Sequence, residues 1–162
     1  MNNNVTELVD QLGEILIARK MMVVTAESCT GGGIAQVLTT LPDSGQWFER
    51  GFVTYSVEAK KEILGVSQKT IDEYGVVSEQ TALEMVQGAL DISHTHIGVA
   101  VTGLAGPDKG PEQKPVGTVC FAWSRGHTFN TSTLVFSGDR EEVSRQSIYT
   151  AVKGLLDLVQ NS

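Results

Sequence analysis

The amino-acid sequence predicts a single α/β domain with a mixed β-sheet and helices packed on both faces. Short apolar segments alternate with amphipathic ones, and two of the apolar segments are each followed at once by a glycine-rich turn. In addition, two strand-like segments, 116–123 and 128–136, are separated only by Ser124-Arg125-Gly126-His127, which requires an antiparallel pair. No linker, repeat or low-complexity stretch interrupts residues 1–162, so we expect one domain.

Each element follows from a local pattern. Apolar residues at a spacing of three and four predict helices, short apolar runs predict buried strands, and Ser78 and Asp139 are good caps for the helices that follow them. In chain order the predicted elements are a helix at 5–19, a strand at 22–25, a helix at 34–38, a loop at 42–45, a strand at 50–55, a helix at 58–64, a helix after Ser78, a strand at 97–101, the strands 116–123 and 128–136, and a final helix after Asp139.

The composition argues against several classes of partner. The chain has a formal net charge of −7, and its 12 Lys and Arg residues are scattered. We therefore expect neither nucleic acid nor a membrane as a partner, because both present negative charge. Cys29 and Cys120 lie outside any Cys-x-x-Cys motif and indicate no disulfide framework. Because no secretory signal or membrane-spanning run is evident, we expect a cytoplasmic protein, and we expect a homo-oligomer.

Ser28 is the first candidate for chemistry. It follows the strand at 22–25 in the turn Ala26-Glu-Ser-Cys-Thr-Gly-Gly-Gly33, and ligands bind at the carboxyl ends of strands in open α/β sheets. The helix that follows begins with unpaired N–H groups, which can hold a phosphate or an oxyanion formed beside Ser28. The alternative is that Ser28 and Thr30 only cap this helix, and the pattern alone favours neither interpretation.

A serine nucleophile needs a base, and histidine is the first to consider. The three histidines, His94, His96 and His127, lie in predicted loops or turns without a suitably arranged carboxylate. We expect them to be solvated surface residues, and His94-x-His96 lacks the further ligands that a zinc site needs. The sequence therefore predicts no metal site.

Lysine is the alternative base. Lys60 and Lys61 begin a predicted helix just after the strand that ends at Tyr55. A lysine acts as a base only where burial or neighbouring positive charge favours its neutral form, and adjacent helical lysines are usually solvated. Tyr55 can assist proton transfer or orient a ligand, and its alternative role is packing with the hydroxyl at the surface.

A second glycine-rich turn, Thr102-Gly-Leu-Ala-Gly-Pro107, follows the strand at 97–101. Its backbone either binds an anion or forms a plain tight loop. Neither turn has the spacing of a P-loop or of a dinucleotide-binding fingerprint. Cys29 is an alternative nucleophile near a helix start, but it has no evident histidine partner, and a packed, inert thiol is the simpler interpretation.

Five motifs occur in a recognisable order over residues 5–160. They are Thr25-Ala-Glu-Ser-Cys-Thr-Gly-Gly32, Arg50-Gly-Phe-Val-Thr-Tyr-Ser56 with Ala59-Lys60, Gly75-Val-Val-Ser-Glu79, Thr102-Gly-Leu-Ala-Gly-Pro107 and Lys114-Pro-Val-Gly-Thr-Val119. Together they resemble the CinA C-terminal domain family, and within it the stand-alone nicotinamide-nucleotide amidases.

The resemblance implies an activity and a set of site residues. It implies hydrolysis of nicotinamide mononucleotide to nicotinic acid mononucleotide and ammonia, without a cofactor. The family's nucleophilic serine falls on Ser28, and the lysine that acts as its base falls on Lys60 rather than Lys61. The motif tyrosine falls on Tyr55, and the threonine that opens the second turn falls on Thr102, which we expect near the reacting centre.

A nucleotide substrate also needs a place for its phosphate. We expect the backbone of the two turns to hold it together with Arg140, whose alternative role is a surface ion pair. The predicted substrate-binding residues are Cys29, Thr30, Gly31, Gly32, Gly103, Gly106 and Arg140.

Two positions depart from the family pattern. Val57 stands where the family usually has asparagine, which removes a polar group beside Tyr55 and Lys60. Lys109 stands where glycine is common, and it either adds charge near a phosphate or is a solvated loop residue. Because of Val57, a non-catalytic nucleotide-binding or regulatory module of the same fold remains an alternative, and an interaction domain is a second one.

Overall fold

The computed structural model describes residues 3–107 and 114–161. These residues form five strands and six α-helices. In chain order they are α1 (Asn3–Arg19), β1 (Val23–Glu27), α2 (Gly33–Leu38), β2 (Phe48–Val53), α3 (Val57–Leu64), α4 (Gln68–Tyr74), α5 (Glu79–Asp91), β3 (Ile97–Gly103), β4 (Thr118–Arg125), β5 (Thr128–Val135) and α6 (Arg140–Gln160). None of the described helices is both long and apolar enough to cross a membrane.

The strands form one mixed sheet in the order β2-β1-β3-β4-β5. β1 pairs in parallel with both β2 and β3, whereas β3–β4 and β4–β5 are antiparallel pairs. The β4–β5 hairpin closes with Arg125 opposite Thr128, so only Gly126 and His127 form the turn. The predicted mixed sheet with an antiparallel hairpin is confirmed.

Two hydrophobic clusters cover the two faces of the sheet, because side chains alternate between faces along each strand. One face packs against α1, α2 and α6 through large side chains such as Ile97, Val99, Val101, Phe121 and Trp123. The other face presents smaller residues, among them Ala26, Ala100 and Ala122, to α5 and the end of α3. The prediction of helices on both faces is confirmed.

The parallel arrangement brings three loops to the same edge of the sheet. The amide of Ser28, just after β1, donates to the carbonyl of Val101 in β3 at 3.1 Å. The amide of Thr54, just after β2, donates to the carbonyl of Glu27 at 2.9 Å. The chain segments that carry the predicted chemistry are therefore tied together at the carboxyl ends of β1, β2 and β3.

The observed boundaries differ from the predicted ones in a few places. β2 covers residues 48–53 rather than 50–55, so Tyr55 lies in the loop before α3. α4 was not predicted, because Gln68–Tyr74 contains a single buried residue and carries no clear apolar stripe. A 3-10 helix, Ser44–Gln46, occupies part of the predicted loop and leads into the fully buried Trp47.

The close approach of α3 and α5 depends on Gly88. A Cβ atom added at Gly88 would overlap the carbonyl oxygen of Leu64, the last residue of α3. Alanine favours a helix over glycine by at most about 1 kcal/mol. Forcing a methyl group into a packed contact costs about 1–3 kcal/mol, so the steric effect wins.

We therefore expect Gly88→Ala to lower the free energy of unfolding by about 1–2 kcal/mol, measured by denaturant unfolding. Gly45→Ala is the matched control, because a Cβ there meets nothing within 4 Å. Equal stability of the Gly88→Ala and Gly45→Ala proteins would show that the helix contact is not tight.

Candidate active site

Ser28 and Lys60 are in direct contact at the carboxyl edge of the sheet. Lys60 Nζ lies 2.9 Å from Ser28 Oγ, although 32 positions separate the two residues. Lys60 is fully buried and Ser28 is 7% exposed. The structure thus joins the predicted nucleophile to one of the two candidate lysines, whereas the side chain of Lys61 lies in the outer part of α3 and bonds Gln68 at 2.8 Å.

The amine of Lys60 is held by carbonyl oxygens of the β2–α3 loop. Its Nζ donates to the carbonyl of Thr54 at 2.7 Å and to that of Tyr55 at 3.4 Å. Burial penalises the ammonium form of an amine, because the ion loses its hydration. A neutral amine here donates to the two carbonyls and keeps its lone pair for the hydroxyl proton of Ser28.

Local sequence explains how α3 delivers this lysine. Ser56 caps the helix by accepting a hydrogen bond from the amide of Ala59 at 3.0 Å. Gly65 ends the helix in a left-handed conformation with φ of 73°. With both ends fixed, Lys60 lies one turn into the helix and points into the protein beneath the loop at Thr54 and Tyr55.

Glu27 organises the turn that carries Ser28. Its carboxylate is fully buried and accepts from Ile34 N and Ala35 N, both at 2.9 Å, and from Thr30 Oγ1 at 2.6 Å. A carboxylate at a helix N-terminus is favoured by the helix dipole and by the unpaired amides there. Sequence reasoning did not assign Glu27 a role, although its position one residue before Ser28 was visible in the motif.

This arrangement corrects two expectations. The start of α2 is not open to a phosphate, because Glu27 already accepts from the amides of Ile34 and Ala35. Ser28 does not cap α2 either, since the N-cap residue is Gly32 and the side chain that accepts from the first turn of the helix is that of Glu27. The hydroxyl of Ser28 instead contacts Lys60.

Tyr55 and Arg140 form a link across the mouth of the site. Arg140, the first residue of α6, donates from Nη2 to the hydroxyl of Tyr55 and from Nη1 to the carbonyl of Gly106, each at 2.6 Å. Tyr55 is 61% exposed, so its hydroxyl is available beside the site rather than packed in the core. Within residues 3–107 and 114–161 Arg140 forms no ion pair, so its alternative role at the surface is not observed there.

The second glycine-rich turn forms the opposite wall. Thr102 is buried, and its hydroxyl donates to the carbonyl of Val76 at 3.1 Å. Position 103 has no room for a side chain, because a Cβ at Gly103 would lie 2.9 Å from the carbonyl oxygen of Thr118 and 3.1 Å from Cys29 Sγ. The glycine therefore permits the turn to pack directly against the one that carries Ser28.

A cavity of about 370 Å³ lies between these walls. Its lining contains most of the predicted site residues, together with apolar residues that sequence reasoning did not single out. The lining residues are Ser28, Cys29, Tyr55, Val57, Lys60, Val76, Val77, Thr102, Gly103, Leu104, Ala105, Gly106 and Arg140.

Three predicted binding residues lie away from the cavity wall. Thr30 is buried with its hydroxyl on Glu27, while Gly31 and Gly32 form the positive-φ turn before α2. Lys109 lies outside the described residues. The structure thus gathers Ser28, Lys60, Tyr55, Thr102, Cys29, Gly103, Gly106 and Arg140 around one cavity.

The thiol of Cys29 lies beside Ser28 but is unsuited to attack. Burial raises the pKa of Cys29 to about 12, and the opposing effect of its own backbone amide is smaller. At neutral pH the residue is therefore a protonated, weakly nucleophilic thiol.

We accordingly expect Cys29 to resist alkylation by iodoacetamide at pH 7–8 in the folded protein and to react after denaturation. Peptide mass spectrometry with and without denaturant measures this directly. We also expect Cys29→Ala to retain ammonia release from a carboxamide substrate. Rapid labelling of native Cys29 together with loss of activity in Cys29→Ala would instead identify a thiol nucleophile.

The histidines lie on the surface, as expected. His94, His96 and His127 are all exposed, and none of them lines the cavity. Among residues 3–107 and 114–161, no group of three or more His, Cys, Asp or Glu side chains is placed to hold a metal ion.

Comparison with known protein families identifies the family of this chain. The sequence model described as the CinA C-terminal domain matches residues 5–159. The chain belongs to the CinA C-terminal domain family. The resemblance inferred from the five motifs is thereby confirmed.

Relatives of this CinA-domain chain match it nearly end to end. The nicotinamide-nucleotide amidohydrolase PncC of Escherichia coli (strain K12) is 47% identical over 156 residues, which cover 95% of this chain and 94% of the relative. The protein of the same name from Pseudomonas putida is 47% identical over 154 residues, covering 95% and 96%. The crystal structure of a competence or damage-inducible protein from Enterobacter asburiae superposes with a TM-score of 0.95 at 37% identity, covering 98% of this chain and 99% of that one.

Proposed function

We propose that this CinA-domain protein hydrolyses the carboxamide of nicotinamide mononucleotide, giving nicotinic acid mononucleotide and ammonia. The observation that carries the proposal is the 2.9 Å contact between Lys60 Nζ and Ser28 Oγ at the wall of a cavity. The substrate is suggested by the amidohydrolases of E. coli and P. putida, which are 47% identical to this chain.

The first half of the reaction forms an acyl-enzyme. Neutral Lys60 removes the proton from Ser28 Oγ as the oxygen attacks the carboxamide carbon, producing a tetrahedral oxyanion. The Lys60 ammonium then returns this proton to the amide nitrogen, and the C–N bond breaks to release ammonia. The nicotinoyl group remains attached to Ser28 as an ester, and Lys60 is again neutral.

The second half repeats the proton transfers with water. Lys60 takes a proton from a water molecule as its oxygen attacks the ester carbon. The proton returns to Ser28 Oγ as the ester bond breaks, and nicotinic acid mononucleotide leaves. One amine thus serves as base and acid in both halves, which requires it to be neutral in the resting enzyme.

The oxyanion needs hydrogen-bond donors that are already in place. The amides of Cys29 and Thr30 are suited to this role because they follow Ser28 directly and donate to no backbone carbonyl within the described residues. The amide of Ser28 is not available, since Val101 accepts from it. Arg140 and Tyr55 would orient the substrate at the mouth, and Thr102 would contact the pyridine carboxamide from the opposite wall.

Val57 lines the same cavity and supports the alternative of a non-catalytic nucleotide-binding module. Its side chain offers no hydrogen bond to a substrate. It does not, however, contribute to the hydrogen bonds that hold Lys60 on Ser28, which come from Thr54 and Tyr55. The geometry of the pair therefore favours catalysis over binding alone.

The test is turnover of nicotinamide mononucleotide in H₂¹⁸O. We expect one ammonia for each nicotinic acid mononucleotide, with a single ¹⁸O in the product carboxylate. Free nicotinamide serves as the comparison substrate. Saturable binding of the mononucleotide without ammonia release would establish the non-catalytic alternative.

A further inference from the structure

A second cavity adjoins the one that contains Ser28 and Lys60. It has a volume of about 510 Å³ and shares the lining residues Cys29 and Arg140 with the first cavity, so the two lie side by side. Most of its wall comes from one face of α6, where residues four apart lie one above another. The lining residues are Val5, Cys29, Arg140, Glu141, Ser144, Arg145, Ile148 and Tyr149.

The charge of this second cavity differs from that of the chain. Its lining contains two arginines, Arg140 and Arg145, and a single carboxylate, Glu141, whereas the whole chain carries a net charge of −7. A surplus of positive charge in a concave, partly apolar site attracts anions more strongly than the same charge on an open surface.

The two arginines are not equivalent. The guanidinium of Arg140 already donates to the carbonyl of Gly106 and to the hydroxyl of Tyr55 at the mouth of the first cavity. Arg145 makes no side-chain hydrogen bond or ion pair with any residue in 3–107 or 114–161. Its planar donors are therefore available to a ligand, and a guanidinium binds a phosphate through paired hydrogen bonds.

The shape of a pyridine mononucleotide matches the arrangement of two adjacent cavities. Its carboxamide and its phosphate lie at opposite ends, separated by the ribose, so the phosphate must occupy a region that adjoins the reacting centre. The start of α2 is closed to it by Glu27. The second cavity, which we call the α6 cavity, is adjacent to the reacting centre. Ile148 and Tyr149 give it an apolar wall that limits the hydration of an ion pair formed there.

We propose that Arg145 binds the phosphate of the substrate in the α6 cavity and thereby selects nucleotides over nucleosides. This inference rests on the proposed function and adds a specificity residue to it. Arg145 acts on the end of the substrate remote from the chemistry, so its contribution is to recognition of the phosphate and not to the reaction of the carboxamide.

The test compares nicotinamide mononucleotide with nicotinamide riboside, which lacks the phosphate. We expect Arg145→Met to lower kcat/KM for the mononucleotide by about 10- to 100-fold, chiefly through KM, because charge-assisted hydrogen bonds are lost. The kcat/KM for the riboside should stay unchanged, and Arg145→Lys should retain part of the preference for the mononucleotide over the riboside. Arg125→Met, at the hairpin turn on the opposite edge of the sheet, is the control and should leave both values unchanged.

Binding of the product separates this inference from the proposed function. Calorimetry should show that Arg145→Met weakens the binding of nicotinic acid mononucleotide and leaves the binding of nicotinic acid riboside unchanged. A wild-type protein without turnover would contradict the amidase, yet the same binding difference would still support the phosphate site. Turnover with equal effects of Arg145→Met on nucleotide and nucleoside, or with no effect on either, would overturn the phosphate site alone.

Discussion

Lys60→Met is expected to lower kcat for ammonia release by about 10³-fold while leaving KM nearly unchanged. Methionine has a similar length and fills the space of the buried lysine, but it cannot accept the proton of Ser28. Because the cavity that binds the substrate is unchanged, the substitution removes stabilisation of the transition state and leaves substrate binding intact. Steady-state kinetics with nicotinamide mononucleotide measures both parameters.

Lys61→Met is the matched control for this substitution. The two lysines are adjacent on α3, but Lys61 bonds Gln68 and does not line the cavity, so its loss should change kcat less than about twofold. Denaturant unfolding of the Lys60→Met protein separates a chemical effect from misfolding, because a folded protein shows a cooperative unfolding transition. Retained kcat in a folded Lys60→Met protein would remove lysine from the mechanism.

Glu27→Ala is expected to have the largest effect on stability, lowering the free energy of unfolding by about 3–5 kcal/mol. The substitution leaves the amides of Ile34 and Ala35 and the hydroxyl of Thr30 without their acceptor in a buried region. Loss of the carboxylate should also release the turn at Ser28 and reduce activity beyond the loss of folded protein.

Two further variants sharpen this prediction. Glu27→Gln keeps the size of the side chain but turns an amide N–H₂ toward donors, so it should cost about 2 kcal/mol or more. Glu58→Gln, in the exposed first turn of α3, should change stability by less than about 0.5 kcal/mol. Urea unfolding compares the three, and equal midpoints for Glu27→Gln and Glu58→Gln would contradict the role assigned to Glu27.

Much of the fold was predictable because hydrophobic pattern and turn chemistry agree along the chain. Asp139 forms a full capping box with Glu142, and Ser78 caps α5, as their positions suggested. The strand at 128–136 was recognisable from its hairpin turn even though it lies at the exposed edge of the sheet. α4 escaped prediction because only Thr70 is buried in it.

The site was less predictable, because its chemistry depends on contacts between distant segments. A pattern of adjacent lysines does not reveal which one is buried, and only the packing of α3 beneath the Thr54 carbonyl selects Lys60. Helix starts are normally open to anions, so the expectation of a phosphate at α2 was reasonable, but Glu27 fills that position. The α6 cavity has no sequence motif of its own, since it arises from the packing of α6 near Val5 and Cys29.

The most direct test of the Ser28–Lys60 mechanism is the rate of ammonia release from nicotinamide mononucleotide by the Ser28→Ala protein, with Cys29→Ala measured beside it. The contact at 2.9 Å predicts that the rate of the Ser28→Ala protein is lower than that of the wild type by about 10⁴-fold or more, while the rate of the Cys29→Ala protein stays within a few-fold of the wild type. Near-normal ammonia release by a folded Ser28→Ala protein would contradict the nucleophile on which the mechanism rests.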